Sequence, residues 1–561
     1  MTTQHPEVPS HTRPPSPKRR LYAFNAWPVS FHARMFALYS AWLGFIGCVA
    51  LSVLEHFMLW PLALVCLVLG VIGAVDLVQT NQSIRRNYPI LGHLRFFLEF
   101  IRPEIRQYFF ESNTEAAPFS RNQRSLVYQR AKSVMDKQAF GTQSDLYRQG
   151  TEWLNHSTAP VHLSNPDFRV RIGGPACTQP YSASIFNISA MSFGALSANA
   201  ILALNKGAKR GNFAHDTGEG SISPYHREHG GDLIWEIGSG YFGCRNAEGQ
   251  FDPERFAEQA CDPQVKMIEI KLSQGAKPGH GGVLPGPKVT EEIAQTRGVM
   301  VGVDCVSPAA HSAFSTPLGL MQFIGELRGL SGGKPVGIKL CVGHPWEWFA
   351  MAKAMQSSGT RPDFIVIDGS EGGTGAAPVE FADHMGFPLI EGLMLVHNTL
   401  VGLDIRQDIK LIASGKIISA FDIAKMCALG ADLCNSARGF MFALGCIMAQ
   451  ACHTGHCPTG VTTQDRKRQR ALDPENKSER VHNFHRNTLK ALGELLGAAG
   501  LDHPQHLKPQ HVSRRINGQQ VSLLADCYTF AKPGELLRGG RPGSLFEQYW
   551  DAAQAASFRL A

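Results

Sequence analysis

Three features are missing from this chain of 561 residues, and each absence narrows its role. No nucleic-acid motif is present and the net charge is only +7, so nucleic acid is not an expected partner. The 13 cysteines, an odd count scattered outside one cluster, form no secreted disulfide framework, which implies a reducing compartment. Cys48, Cys66, Cys341 and Cys427 lie in apolar runs and read as buried thiols. No strand–GxGxxG–helix unit is present, which argues against a dinucleotide cofactor.

Charge is also sparse, at 18% of residues against 44% apolar, and is locally absent. Residues 1–33 are rich in Pro, Ser and basic residues and are expected to be disordered. Met35 to Leu54 carries no charge, Glu55-His56 interrupts, and Phe57 to Val75 is a second uncharged run. Pro61 falls in the first turn of the second helix, where it is tolerated. Arg13, Lys18, Arg19, Arg20 and Arg34 precede the pair, and Arg85, Arg86 and Arg95 follow it. Two basic flanks predict a two-pass hairpin in the cell (inner) membrane, with the bulk of the protein in the cytoplasm. Three readings compete with it: a buried hairpin in a soluble oligomer, an export signal suggested by Arg19-Arg20, and a lipoprotein site suggested by Phe45-Ile-Gly-Cys48. The expected division is 1–33 disordered, 34–76 hairpin, 77–150 helical connector, 151–480 barrel with the cysteine segment, and 481–561 C-terminal extension.

From about Tyr181 short apolar runs alternate with helical stretches. Strands are expected at Ser184–Ile188, Met267–Leu272, Met300–Asp304, Val336–Val342, Phe364–Asp368, Ile409–Ala413 and Asp432–Ser436. Helices are expected at Ala198–Lys209, Pro317–Leu330, Trp346–Gln356, Leu389–Val401 and Ala420–Leu429. Continuous apolar strands joined by helices predict an α/β fold, a (β/α)8 TIM barrel, with its chemistry just after the strands. Met191-Ser-Phe-Gly194, the Gly-flanked Glu219, Lys271 and the loop Gln274–Gly282 occupy such positions, as does Asp368–Gly375. Lys339 lies inside an apolar strand, where burial unpaired is costly, so a bound anion or carbonyl or a structural ion pair should meet it. Ser414-Gly-Lys416 and Ala437-Arg-Gly439 follow the last two strands, where barrels often bind phosphate. One phosphate site suits flavin mononucleotide, FMN.

The run from Gly445 to Gly460 holds Cys446, Cys452 and Cys457. Three close thiolates suit a soft metal centre, either iron–sulfur or zinc. The Cys-x5-Cys-x4-Cys spacing matches neither common zinc fingers nor ferredoxins, and His453 and His456 keep zinc open. Buried thiols without a metal are the third reading.

The stretch Ile270–Gly286 (IKLSQGAKPGHGGVLPG) closely resembles the synthase domain of glutamate synthase. So do Ser189–Ser197 (SAMSFGALS), Glu371–Ala376 (EGGTGA) and the cysteine run, in the same order over roughly residues 120–480. The resemblance implies a barrel binding FMN beside a 3Fe–4S cluster. Electrons would pass from cluster to FMN and leave as hydride to 2-iminoglutarate, formed from 2-oxoglutarate and ammonia. Cys446, Cys452 and Cys457 would hold the cluster. Ala190, Met191 and Ser192 would pass near the isoalloxazine, with Lys339 against it and Gly373 beside it. Ser414, Gly415 and the Ala437-Arg438-Gly439 turn would hold the phosphate. Lys271, Gln274, Lys277 and Glu219 would form the substrate site, with Glu219 handling protons.

Departures gather in the substrate loops. His280 replaces a glutamate, Val283 a glutamine, Tyr241 an arginine, and Ser312-Ala313 a His-Asp pair. The start Met1-Thr2-Thr3 lacks the family's glutaminase cysteine, and only about 90 residues follow the barrel, so ammonia from solution or a partner is expected. Two further readings follow. One is an FMN/iron–sulfur oxidoreductase of this fold acting on another 2-oxo acid, an amine or an N-methyl amino acid. The other is a non-catalytic redox subunit of a membrane complex. The expected electron donor is ferredoxin or a membrane dehydrogenase, and a homo-oligomer stays open.

Overall fold

The computed structural model describes residues 34–54, 59–164 and 166–560. The expectations for 1–33 and for Glu55-His56 lie outside these residues. The chain divides into two compact units, Met1–Glu111 and Ser112–Ala561, so the break falls inside the expected 77–150 connector.

In the first unit, α1 (Phe36–Leu54) and α2 (Trp60–Val78) are long and apolar enough to cross a membrane. At 19 residues each they reach about 28 Å, close to a bilayer's hydrocarbon thickness. Small residues let them meet: a Cβ on Gly70 would lie 3.0 Å from the Trp42 indole, and one on Gly73 2.7 Å from Leu38. Their outer surfaces stay apolar and exposed, as at Leu43, Ile46, Leu64 and Val71. Asp76, buried near the end of α2, accepts hydrogen bonds from the Ile90 amide (3.0 Å) and His93 Nε2 (2.9 Å). That clamp starts α3 (Leu91–Ile105), which exposes Leu91, Leu94, Phe97 and Leu98.

The second unit is built on a closed parallel barrel. Its strands are β1 (Phe186–Ile188), β2 (His215–Asp216), β3 (Leu233–Ile237), β4 (Val265–Lys271), β5 (Val336–Leu340), β6 (Phe364–Asp368), β7 (Lys410–Ser414) and β8 (Leu433–Ser436). Each pairs with the next, and β8 closes on β1 through Cys434 opposite Phe186. The eight-stranded barrel is the expected one, but two strands differ from expectation. β2 is two residues long and β3 carries Glu236 mid-strand, so neither reads as an apolar run. Met300–Asp304 is not a strand. It follows the Gly298 cap of the helix Glu291–Arg297, and its Met300, Val301 and Val303 are exposed.

The five expected helices form within two residues of their predicted ends. α4 (Arg121–Ala131) carries a Ser120/Gln123 capping box, and α5 (Ala198–Gly211) is capped by Ser197 Oγ on the Ala200 amide (3.2 Å). α6 (Pro317–Leu330) follows, then the short α7 (Arg438–Leu444) and the long α8 (Pro474–Ala498). α8 lies against both α4 and α5, crossing the expected boundary at 480. At Gly207 of α5 a Cβ would come within 2.5 Å of Val481, so only glycine allows this approach. Phe213 and Phe186 stack on the buried His485, Phe440 stacks on both phenylalanines, and Phe484 meets Phe186 and Phe440 edge-on; His485 pairs with Ser184 Oγ at 2.9 Å. The C-terminal stretch folds back: Val512–Arg515 pairs antiparallel with Glu152–Leu154 ahead of the barrel.

Asp363 shows how the barrel's outer layer is tied down. Its buried carboxylate accepts from the amides of Gly174 (2.7 Å) and Val336 (2.8 Å) and from Arg328 of α6 (3.0 and 3.2 Å). Asp363→Ala would leave the Arg328 guanidinium buried without its anion and should cost about 3–5 kcal/mol. Chemical denaturation of the full chain in detergent should read this as a lower midpoint; an unchanged midpoint would mean the contact is not held in solution.

Candidate active site

Parallel strands place all eight C-terminal ends at one mouth, and a cavity of about 250 Å³ opens there. Every expected substrate and cofactor residue lines it: Glu219, Lys271, Gln274, Lys277, Ala190, Met191, Ser192, Lys339, Gly373, Ser414, Gly415, Ala437 and Arg438. The barrel thus gathers residues spread over about 250 positions.

On the β2–β4 side, Lys271 Nζ lies 3.0 Å from Glu219 Oε2, and Ser307 Oγ donates to the same oxygen at 3.3 Å. A Cβ on Gly282 would sit 2.0 Å from Glu219 Oε1, so glycine is required at this approach. Burial alone would raise the Glu219 pKa, but Lys271, then Arg297 and Lys277, outweigh it and hold the carboxyl at about 2. Glu219 is therefore held as an anion near neutral pH. Lys277 is buried, yet its ammonium has no hydrogen-bond or ion-pair partner among the described residues. Burial lowers its pKa, and Glu219 partly restores it. It is a cation with spare capacity, facing the cavity.

At the floor, Lys339 meets protein carboxylates, not a bare anion site: Nζ lies 2.6 Å from Glu236 Oε2 and 3.7 Å from Glu269 Oε1. Burial opposes its charge, but Glu236 and Glu269 outweigh this and keep it protonated. The structural ion pair is thus the partner. Asp368 ties neighbouring loops together, accepting from Ser414 Oγ (2.8 Å) and the Gly275 amide (2.9 Å). The opposite end is basic. Lys416 adopts a left-handed turn (φ 52°), and Arg438 stacks 4.6 Å over Phe119 while donating to Glu371 O at 3.0 Å. Burial brings Arg438 down to about 10, which leaves it charged at neutral pH. Asn435 is buried in the cavity wall with neither amide atom partnered.

Cys446, Cys452 and Cys457 line one adjoining cavity, also about 250 Å³. Cys452 and Phe119 line both. Left-handed turns at Met448 and Gln450 (φ 61° and 55°) fold the loop back after Cys446, and Tyr128 Oη of α4 donates to Cys446 O at 2.6 Å. Lys288 Nζ donates to the carbonyls of Cys452 (3.1 Å) and Thr462 (3.3 Å). Burial pushes the Cys446 thiol up to about 12, whereas at Cys457 hydrogen bonds with Thr459 and Thr462 outweigh burial and bring it to about 7.

The substituted positions separate in space. Val283 lines the cavity, and His280 is exposed, its ring 5.3 Å from Phe381. Tyr241 lies one layer back. His311 Nε2 bonds to the Lys271 carbonyl (2.9 Å), so its other nitrogen accepts from Tyr241 Oη (3.1 Å), which in turn accepts from the Ala313 amide (3.1 Å). Sequence reasoning missed Arg297, which donates to Ser192 Oγ (3.2 Å) and Phe193 O (2.8 Å), and the buried Asp216, Glu236 and Glu269. A carboxylate inside an apolar strand was the available signal at Glu236 and Glu269, the same signal used for Lys339.

Because the Glu219 pKa falls from its ordinary 4.5 to about 2 on folding, its stabilisation is present above pH 4.5 and is lost as pH drops toward 2. The contribution is about 3 kcal/mol. Glu219→Gln should flatten the acid limb of the unfolding free energy in that window; an unchanged limb would show that the ion pair does not carry it.

Residues 134–502 match a family described as a conserved region in glutamate synthase. The glutamate synthase large subunit-like protein YerD of Bacillus subtilis is 38% identical over 514 residues, 82% of this chain and 97% of that one. An archaeal glutamate synthase (NADPH) of Methanocaldococcus jannaschii is 38% identical over 341 residues, covering 60% of this chain and 64% of its own length. An archaeal-type glutamate synthase (NADPH) of Thermotoga neapolitana is 36% identical, again over 64% of its length. A solved flavocytochrome b2 mutant with pyruvate bound aligns at 11% identity and a TM-score of 0.39 over 79% of this chain and 90% of that one, too remote to bear on function. With the matched segment running through the barrel, the cavity and the cysteine loop, this chain belongs to the glutamate synthase family.

Proposed function

We propose that this protein is a membrane-anchored oxidoreductase of the CH–NH2 class that makes glutamate from 2-oxoglutarate and ammonia, using FMN and a 3Fe–4S cluster. The observation that carries the reading is Lys277, a buried cation without a partner beside the Lys271–Glu219 pair. A dicarboxylate supplies the missing anion. Lys277 binds one carboxylate, and Glu219 keeps Lys271 oriented toward the same space.

The residues fit FMN. Asn435 offers an unpartnered donor and acceptor within the cavity wall, Lys339 brings a carboxylate-paired ammonium to the floor, and Lys416 and Arg438 give a basic end for a phosphate. When bound, FMN supplies hydride transfer; the protein supplies the charge that stabilises electron density on the ring. The cysteine cavity fits a thiolate-bound cluster. Lys288 places a cation beside it, and hydrogen bonds with Thr459 and Thr462 bring the Cys457 thiol down to about 7. Ferredoxin or a membrane dehydrogenase is the proposed electron source.

Val283 favours a second reading, because an apolar wall stands where the family's glutamine resembles a substrate ligand. Under it the same cofactors act on another 2-oxo acid, an amine or an N-methyl amino acid. Anaerobic spectra of the dithionite-reduced protein separate the two. Return of the flavin bands only when 2-oxoglutarate and ammonium are both present supports glutamate synthesis; a flavin that stays reduced overturns it. Lys277→Ala should raise the 2-oxoglutarate concentration needed by roughly 10- to 100-fold.

The proposed location is the cell (inner) membrane, with α1 and α2 spanning it and the barrel in the cytoplasm. Apolar outer surfaces on both helices support this, as does the exposed row Leu91, Leu94 and Leu98 with Arg95 and Arg102 alongside, a composition suited to a lipid surface. The protein should stay with membranes through an alkaline carbonate wash, and release by that wash would overturn the anchor.

A further inference from the structure

A TIM barrel interior is normally filled by branched apolar side chains. Here one layer is charged. Glu236 of β3 stands opposite Glu269 of β4, and Lys271 of β4 opposite Lys339 of β5. Asp216 of β2 completes the group, and the three carboxylates lie within 4.8 Å of one another. Asp216 is 1% exposed, Glu236 2%, Glu269 0% and Lys339 4%, so water does not screen them.

The charges do not balance. Lys339 bonds to Glu236 at 2.6 Å and reaches only to 3.7 Å from Glu269. Lys271 is committed to Glu219 at 3.0 Å and stands 3.9 Å from Glu236. Asp216 accepts one bond, from the Gly218 amide at 3.0 Å. Its other oxygen and both oxygens of Glu269 have no donor. Three buried anions against one dedicated cation are not tolerated at such separations; a proton on one carboxyl gives an O–H donor to its neighbour and removes one charge. Burial, then the neighbouring carboxylates, push both Asp216 and Glu269 upward, in agreement with the geometry.

We propose that Asp216, Glu236 and Glu269 share a proton at neutral pH and form a buried proton store beneath the cavity. Glu236 and Lys339 line the cavity, while Asp216 and Glu269 lie behind them, so the store is one hydrogen bond from the site. The groups that face it are Lys339, Lys271 and, from β6, Asp368. A second step rests on the FMN reading. Were FMN bound there, Lys339 would face any negative charge that reduction places in the cavity (two electrons with one proton leave one net charge), Glu236 would lose part of its counter-ion, and the shared proton would move toward Glu236. No proton is created or lost in this shift.

Infrared spectroscopy of the full-length protein tests both steps. A protonated-carboxyl stretch should be present at neutral pH, should shift in heavy water, and should be lost in Glu269→Gln or Asp216→Asn. Both substitutions mimic the neutral acid and should preserve thermal stability. Absence of the band, or its persistence in both variants, overturns the store. A stoichiometric divalent metal in the purified wild type that is lost in Glu269→Gln also overturns it, because a metal ion would then replace the proton. The dithionite-reduced minus oxidised difference spectrum should contain this band; a difference spectrum without it overturns the coupling. The band in a preparation without flavin absorbance would support the store and count against the FMN reading, which keeps the two failures distinct.

Discussion

The ion pairs at the centre of the barrel are the constraint on which the site depends. Lys271 and Lys339 stand opposite each other on neighbouring strands, and unpaired they would repel in a water-poor interior. Glu219 and Glu236 make their burial tolerable. In doing so they fix both ammonium groups at the cavity surface. Glycine at 282 lets the β4 loop approach Glu219, and Ser307, whose amide bonds to the Gly282 carbonyl (2.8 Å), donates to the carboxylate. The floor of the site is therefore an electrostatic arrangement first and a packed surface second.

The cavity and the cysteine loop are joined by more than proximity. Phe119, just ahead of α4, touches both spaces and lies under Arg438 at the basic end of the cavity. α4 reaches the loop through Tyr128, and Lys288 reaches it from the β4 side. α8 backs this assembly by packing on α4 and α5. A displacement of α4 would be felt at the cofactor end of the cavity and at the cysteines together.

The substituted positions carry different weights once placed. Val283 changes the lining itself. Tyr241 does not line the cavity and reaches the backbone of Lys271 through His311. His280 is exposed. Of these three positions, Val283 alone lines the cavity.

The barrel class, five helices, two apolar spans and every cavity residue named in advance were legible from sequence, because apolar period, glycine-rich loops and long local motifs are properties of contiguous residues. β2 and β3 were not, since a two-residue strand has no period and Glu236 breaks the apolar run of β3. Met300–Asp304 misled for the opposite reason: an apolar run can end on the surface. The partner of Lys339 was also beyond reach, because Glu236 lies 103 positions away and only barrel closure brings the two together. Sequence alone determined which chemical groups stand at the strand ends; tertiary structure decided their charge, since protonation in a buried layer depends on distances between strands that no local pattern encodes.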